Sequence, residues 1–153
     1  MNSDTRAIGD SITVRRALAN TSLTAGGGGD NSAVTGIIVD RALIGWPQSA
    51  VVAVPFTATL AAAATLSLTP TVQSGNASNL SDAASLLAPG ATVIATGGAG
   101  GSTETGCYEL SVSLAGAGRY VRVNVTPDLS AANTDTAAIA GVIVFGGANR
   151  LPQ

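Results

Sequence analysis

The sequence predicts an all-β fold, a jelly-roll-like sandwich of antiparallel strands, and three observations carry that expectation. From Gly36 onward, seven short runs rich in β-branched residues alternate with turn residues: 36–40, 51–56, 60–72, 91–96, 106–115, 118–126 and 138–145. Within the runs, apolar residues recur with a period of two. In 60–69, Leu60, Ala62, Ala64, Leu66 and Leu68 fall on one side, and Ala61, Ala63, Thr65, Ser67 and Thr69 on the other. No helix-length amphipathic segment separates the strands, which excludes a βαβ arrangement.

Taken in order, residues 1–34 carry more charge than the rest and close on the flexible run Ala25–Asn31, which includes Gly26 to Gly29. The expectation is an N-terminal arm, extended or partly helical around 12–19, joined by a linker to a sandwich domain over 35–153. One short helix is predicted at 81–87, with Asn79 or Ser81 as cap, Asp82 at its positive end and Pro89-Gly90 as its stop. The runs either side of Gly116-Ala117 predict a hairpin with those two residues at its tip. Val112 would then face Val121, Leu110 face Val123 and Tyr108 face Val125 on one apolar side, with Glu109 diagonal to Arg122 on the other. The last run is apolar on both faces (Ala140, Val142 and Val144; Ile139, Ile143 and Phe145), so it should be a central strand or one covered by another chain.

Composition narrows function. The 153 residues form one domain's worth of chain, enough to bury roughly 68–70% of the unfolded surface around one core. There is no histidine, and all seven cationic residues are arginines. The usual Ser-His and Cys-His nucleophile pairs, imidazole ligation of zinc, the Walker lysine and Schiff-base chemistry are therefore unavailable. A net charge of −2 with scattered arginines argues against nucleic acid. One cysteine closes no internal disulfide, and Met1 is followed by Asn2, Ser3 and Asp4 instead of a basic and then apolar leader, so folding in a reducing cytoplasm is expected. The uncharged stretch 49–70 is long enough to span a bilayer, but its Pro55, its threonines and its strand period argue against a membrane span.

Each candidate site has a plainer reading that the residues favour. Gly97 to Gly101 follows a strand, as a dinucleotide loop would, but 102–106 starts no helix, so a strand connection is expected. Asp128, Asn133 and Asp135 offer oxygens to a hard cation without the glycine and glutamate of an EF-hand, so a Pro127-Asp128 turn is expected. Glu109 with Asp128 or Glu104 could form a glycosidase carboxylate pair, yet nothing fixes their separation, and aromatics make up only 3% of the chain to stack a sugar ring. Cys107, out of phase with the inward Tyr108 and without a neighbouring cation, reads as an inert small residue. Trp46, in a turn before Pro47, anchors the core or an interface, the core being the better of the two.

The segment GRYVRVNVTPDLSAANTD at 118–135, followed by GVIVFGG at 141–147, resembles the capsid cement, or decoration, proteins of short-tailed bacteriophages. The resemblance covers the last third of the chain and rests on a strand, a Thr-Pro step and an apolar final strand. It implies a jelly roll that is made in the host cytoplasm, sits on the outer surface of the virion and staples adjacent capsomers. Its partners would be the major capsid protein and a second copy of itself, as a homodimer or alternatively a trimer, with no cofactor, metal, nucleic acid or membrane. Arg15, Arg16, Trp46, Tyr120 and Arg122 are the candidate capsid or subunit contacts. The alternative is a phage tail or fibre module binding a host surface glycan or protein, with Trp46, Tyr108 and Tyr120 to line its pocket. An enzyme is the least favoured class.

Overall fold

The computed structural model describes residues 8–130 and 134–148. After one helical turn, α1 (Ile8–Ser11), the chain forms ten strands: β1 (Ile12–Thr24), β2 (Val34–Thr35), β3 (Val39–Asp40), β4 (Pro47–Leu60), β5 (Thr65–Gly75), β6 (Ala84–Leu87), β7 (Thr92–Thr96), β8 (Ser102–Ser113), β9 (Tyr120–Leu129) and β10 (Thr136–Ala148). One sheet has the order β1-β10-β4-β8; the other has β2-β9-β5-β6, with β3 also on β9 and β7 also on β5. Every pairing is antiparallel. If β2 with β3 and β6 with β7 each count as one interrupted strand, the two sheets run 1-8-3-6 and 2-7-4-5. That is jelly-roll connectivity.

Strand periodicity places the core between the sheets. Val52, Val54, Ile143 and Phe145 project from the first sheet onto Leu66, Leu68, Val72, Val121, Val123 and Val125 of the second. Each fully buried side chain of this kind contributes about 1.5–3 kcal/mol. β10, apolar on both faces, lies between β1 and β4, so its central position is met within the chain. The stretch 49–70 folds as two strands in different sheets, joined by a turn at 61–64 in which Ala63 takes a φ of 62°. No helix among the described residues is long and apolar enough to cross a membrane.

Four local expectations are corrected. The segment 12–24 is not an arm: it pairs with β10 along its length and buries Ala17, Leu18 and Leu23. Residues 81–87 form no helix. The Asp82 carboxylate accepts the amides of Asn76 and Ala77 (2.8 and 3.0 Å), and Asn79 Oδ1 accepts the Ser81 amide, so the polar residues that look like a helix cap close tight turns before the short β6. The predicted hairpin is absent, because β8 pairs with β4 and β9 with β5. Its apolar faces are correctly assigned, but they meet across the core from opposite sheets, and Gly116 and Ala117 lie in a crossing between sheets. Pro127-Asp128 is strand, with Pro127 opposite Leu68 and its carbonyl accepting the Asn31 amide at 2.9 Å.

The turn carboxylates give an acid-stability prediction. Hydrogen bonds from the amides of Asn76 and Ala77 hold the Asp82 carboxyl below its ordinary pKa of 3.8. A depressed folded-state pKa adds stability above the unfolded value that is lost as pH falls through the folded one. Thermal melts should therefore be level above about pH 5 and decline below pH 3.8, and Asp82→Asn, which cannot titrate, should make that decline shallower. An unchanged acid limb would remove Asp82 from the account.

Candidate interaction surface

One end of the sandwich is organised around a buried cation. Asp40 caps a single 3-10 turn, Arg41–Ile44: its Oδ1 accepts the Ala42 amide, and Gly45, at a φ of 83°, ends the turn. Gly45 occupies the left-handed region that glycine enters without strain. Arg41 is only 2% exposed. Its Nη1 donates to the carbonyls of Ala117 (2.5 Å) and Gly118 (2.9 Å), and its Nη2 to those of Pro47 (2.7 Å) and Leu114 (3.1 Å). The guanidinium thus ties the start of β4 to the crossing between β8 and β9. Among the described residues it has no carboxylate partner, and desolvation pushes its pKa below the ordinary value.

Trp46 lies against this knot, its ring centroid 5.5 Å from the Arg41 guanidinium carbon, and remains 40% exposed. Beside it, Arg119 makes a two-point ion pair with Asp40 (Nε to Oδ1 3.0 Å, Nη2 to Oδ2 2.7 Å) and lies over the Tyr120 ring at 5.2 Å. The Arg119 hydrogen bond is the main cause of a lowered Asp40 pKa, and Asp40 in turn raises that of Arg119. An ion pair this accessible is screened by water and adds little to stability. Its use here is orientation.

The same connection between β2 and β4 exposes Ile37, Ile38 and Leu43, the last at 81%. With Trp46 these are exposed apolar side chains of one segment, 37–46, whose backbone is tied through Arg41 and by the bond from the Ile37 amide to the Ala17 carbonyl. Single exposed apolar residues are ordinary; several on one tied segment make it a candidate interaction surface. A second exposed apolar area is the outer face of the first sheet. Val14, Val144 and Val51 follow one another across three strands, beside a shallow hollow of about 530 Å³ floored by Ser49, Ser113 and Gly146.

The structure brings some of the expected contact residues together. Trp46 and Tyr120 share the braced end, with Trp46 outside the core. Arg15 and Arg16 are exposed on β1, just before the Ala17 carbonyl that holds Ile37. Arg122 is engaged elsewhere: it donates from Nε and Nη2 to Gln73 Oε1, an acceptor shared with Asn124, on the outer face of the second sheet. It does not meet Glu109, which lies in the other sheet. Ile37, Ile38 and Leu43 are exposed apolar residues that the sequence reading does not single out, although the adjacent apolar pairs Ile37-Ile38 and Leu43-Ile44 ahead of a proline are visible signals.

The remaining candidates do not converge. Glu109 and Asp128 lie on opposite sheets and both face outward, while Glu104 accepts the Ser102 hydroxyl at 2.6 Å. Gly97 to Gly101 links β7 to β8 with no following helix. Asp128 accepts from Asn31, Asn133 falls outside the described residues, and buried Asp135 accepts the Ala61 amide at 2.8 Å. No group of three potential metal-ligating His, Cys, Asp or Glu side chains exists among the described residues.

Comparison with protein families and with curated proteins gives no match. Among solved structures, the chain is similar to the infectious bursal disease virus VP2 subviral particle (11% identity, TM-score 0.49, covering 92% of this chain and 34% of that one). It is also similar to the Gt strain of the same virus (13% identity, TM-score 0.49, 92% and 34%). A third similarity is to the PBSX exported protein XepA (15% identity, TM-score 0.43, 91% and 38%). This chain spans little more than a third of each, and likeness at this level carries no functional argument.

Proposed function

We propose that this chain is a structural virion protein, a capsid cement that binds the outer surface of a bacteriophage head and staples adjacent capsomers, with the major capsid protein as its partner. The observation that carries the reading is the set of exposed apolar side chains, Ile37, Ile38, Leu43 and Trp46, on one segment tied down by Arg41. It is an anchor held by a buried arginine, with no accompanying constellation of catalytic side chains among the described residues. The resemblance of 118–135 and 141–147 to cement proteins points the same way. Function here is mechanical: contacts repeated by the symmetry of a shell add area that must be exposed before capsomers part. A segment that is ordered in advance loses little side-chain entropy on docking.

Heads lacking the protein should bind it in a fixed ratio to the capsid protein. Leu43→Asp combined with Trp46→Ala should reduce binding by about tenfold or more, as loss of an interface anchor does, and leave the far-UV spectrum unchanged. No saturable binding to such heads, or full binding by the double variant, would overturn the reading.

A further inference from the structure

We propose that β8 is a dimerisation edge, pairing antiparallel with β8 of a second copy about a two-fold axis through Cys107. The two edges of the first sheet differ. β1 has register shifts between Arg16 and Leu18 and between Leu18 and Thr21, and carries the exposed Arg15 and Arg16. Bulges and cationic side chains along an edge are among the ways sheets prevent further pairing. β8 pairs with β4 in twelve consecutive positions, Ser102 to Ser113, without a shift, a proline or a cation.

The free side of β8 presents a regular ladder. The Leu114 amide bonds the Gln48 carbonyl, in the register that puts Ser113 opposite Ser49. Antiparallel alternation therefore directs the even-numbered residues' amides and carbonyls toward β4, and those of Thr103, Thr105, Cys107, Glu109 and Ser111 outward. No described strand receives them. A strand of twelve residues runs about 40 Å, long for an open edge.

The strand is complementary to itself, which is why a second copy is the occupant. With Cys107 opposite Cys107 of the second copy, Thr105 faces Glu109 and Thr103 faces Ser111, each outward N–H meets an outward carbonyl, and no two glutamates are opposed. Ser102 to Val112 all take part. Placing the axis half a residue away, between two residues, would pair outward with inward side chains, and centring on Glu109 would oppose two carboxylates. The partner also covers an open flank, where Tyr108 and Leu110 of β8 and Leu86, Leu87 and Ile94 of the facing strands are only half buried. The product is an eight-stranded sheet running through both copies.

Sedimentation of the whole chain under reducing conditions should show a dimer that persists in Cys107→Ser. Mild oxidation should give a Cys107–Cys107 cross-link, because directly opposed Cα atoms lie about 5.5 Å apart, within disulfide range. Cys107 is exposed, so Cys107→Lys leaves the fold intact while opposing two ammonium groups at the axis, and the dimer Kd should rise about tenfold or more. Thr105→Lys, placed opposite Glu109, should keep the dimer. A monomer at all concentrations, a dimer indifferent to Cys107→Lys, or a dimer that resists cross-linking would each overturn the proposal.

Discussion

Arg41→Met should cost about 3–5 kcal/mol, because it strands several partly buried carbonyls that a charged donor now satisfies. The methionine fills comparable volume, so the effect isolates the guanidinium. Four carbonyls, of Pro47, Leu114, Ala117 and Gly118, would lose their donor. Each buried polar group left unpaired costs about 1–3 kcal/mol, reduced where the end of the sandwich opens to water. At roughly 2–4 °C per kcal/mol for a domain of this size, the melting temperature should fall by about 6–20 °C. Arg41→Lys should lie between, since an ammonium has three donors and no planar fork with which to reach four acceptors. Because arginine stays charged in proteins, the loss should be the same from pH 5 to pH 9. A loss under about 1 kcal/mol would mean that the crossing is held by its backbone turns alone, and the exposed apolar segment would lose its tie.

Strand period shows which side chains of a run share a face, and there the sequence was legible. Tyr108, Leu110 and Val112, and likewise Val121, Val123 and Val125, do turn toward one interior, and the doubly apolar 138–145 is central. Period says nothing about which strand lies alongside. Two runs six residues apart meet the same requirement as a hairpin or as a crossing between sheets, and here the crossing is held by Arg41, some seventy residues earlier. The same remoteness hid Arg41 itself, since in the sequence it is one cation among seven. Trp46 and Tyr120 stood out as candidate contacts because aromatics are so few. Their common end depends on the Asp40–Tyr120 register, which only the folded sheet supplies.

Deleting residues 1–30 should abolish folding, the opposite of what a detachable arm would give. The sequence suggests an arm because Ile8, Ile12, Val14, Leu18 and Leu23 are spaced unevenly among charges, ahead of the flexible run Gly26 to Gly29. The two register shifts in β1 explain this: they reset the alternation, so that the adjacent Ala17 and Leu18 are both buried and Leu23 returns to the core six residues after Ala17. Without β1, the central β10 becomes an edge with an unpaired ladder and apolar side chains on both faces. Leu18 is wholly buried, and its side chain lies over Gly141, where an added Cβ would come within 2.8 Å of Leu18 Cγ. Leu18→Ala should therefore cost about 2–5 kcal/mol through lost burial and the cavity left above Gly141. Gly141→Ala should also destabilise from the other side of that contact, and the two together should cost less than their sum, because a smaller residue 18 makes room for the new methyl group. Denaturant melts of the two single variants and the double variant measure the coupling. A folded, fully cooperative deletion variant would show that β1 is dispensable and that the sandwich closes without it.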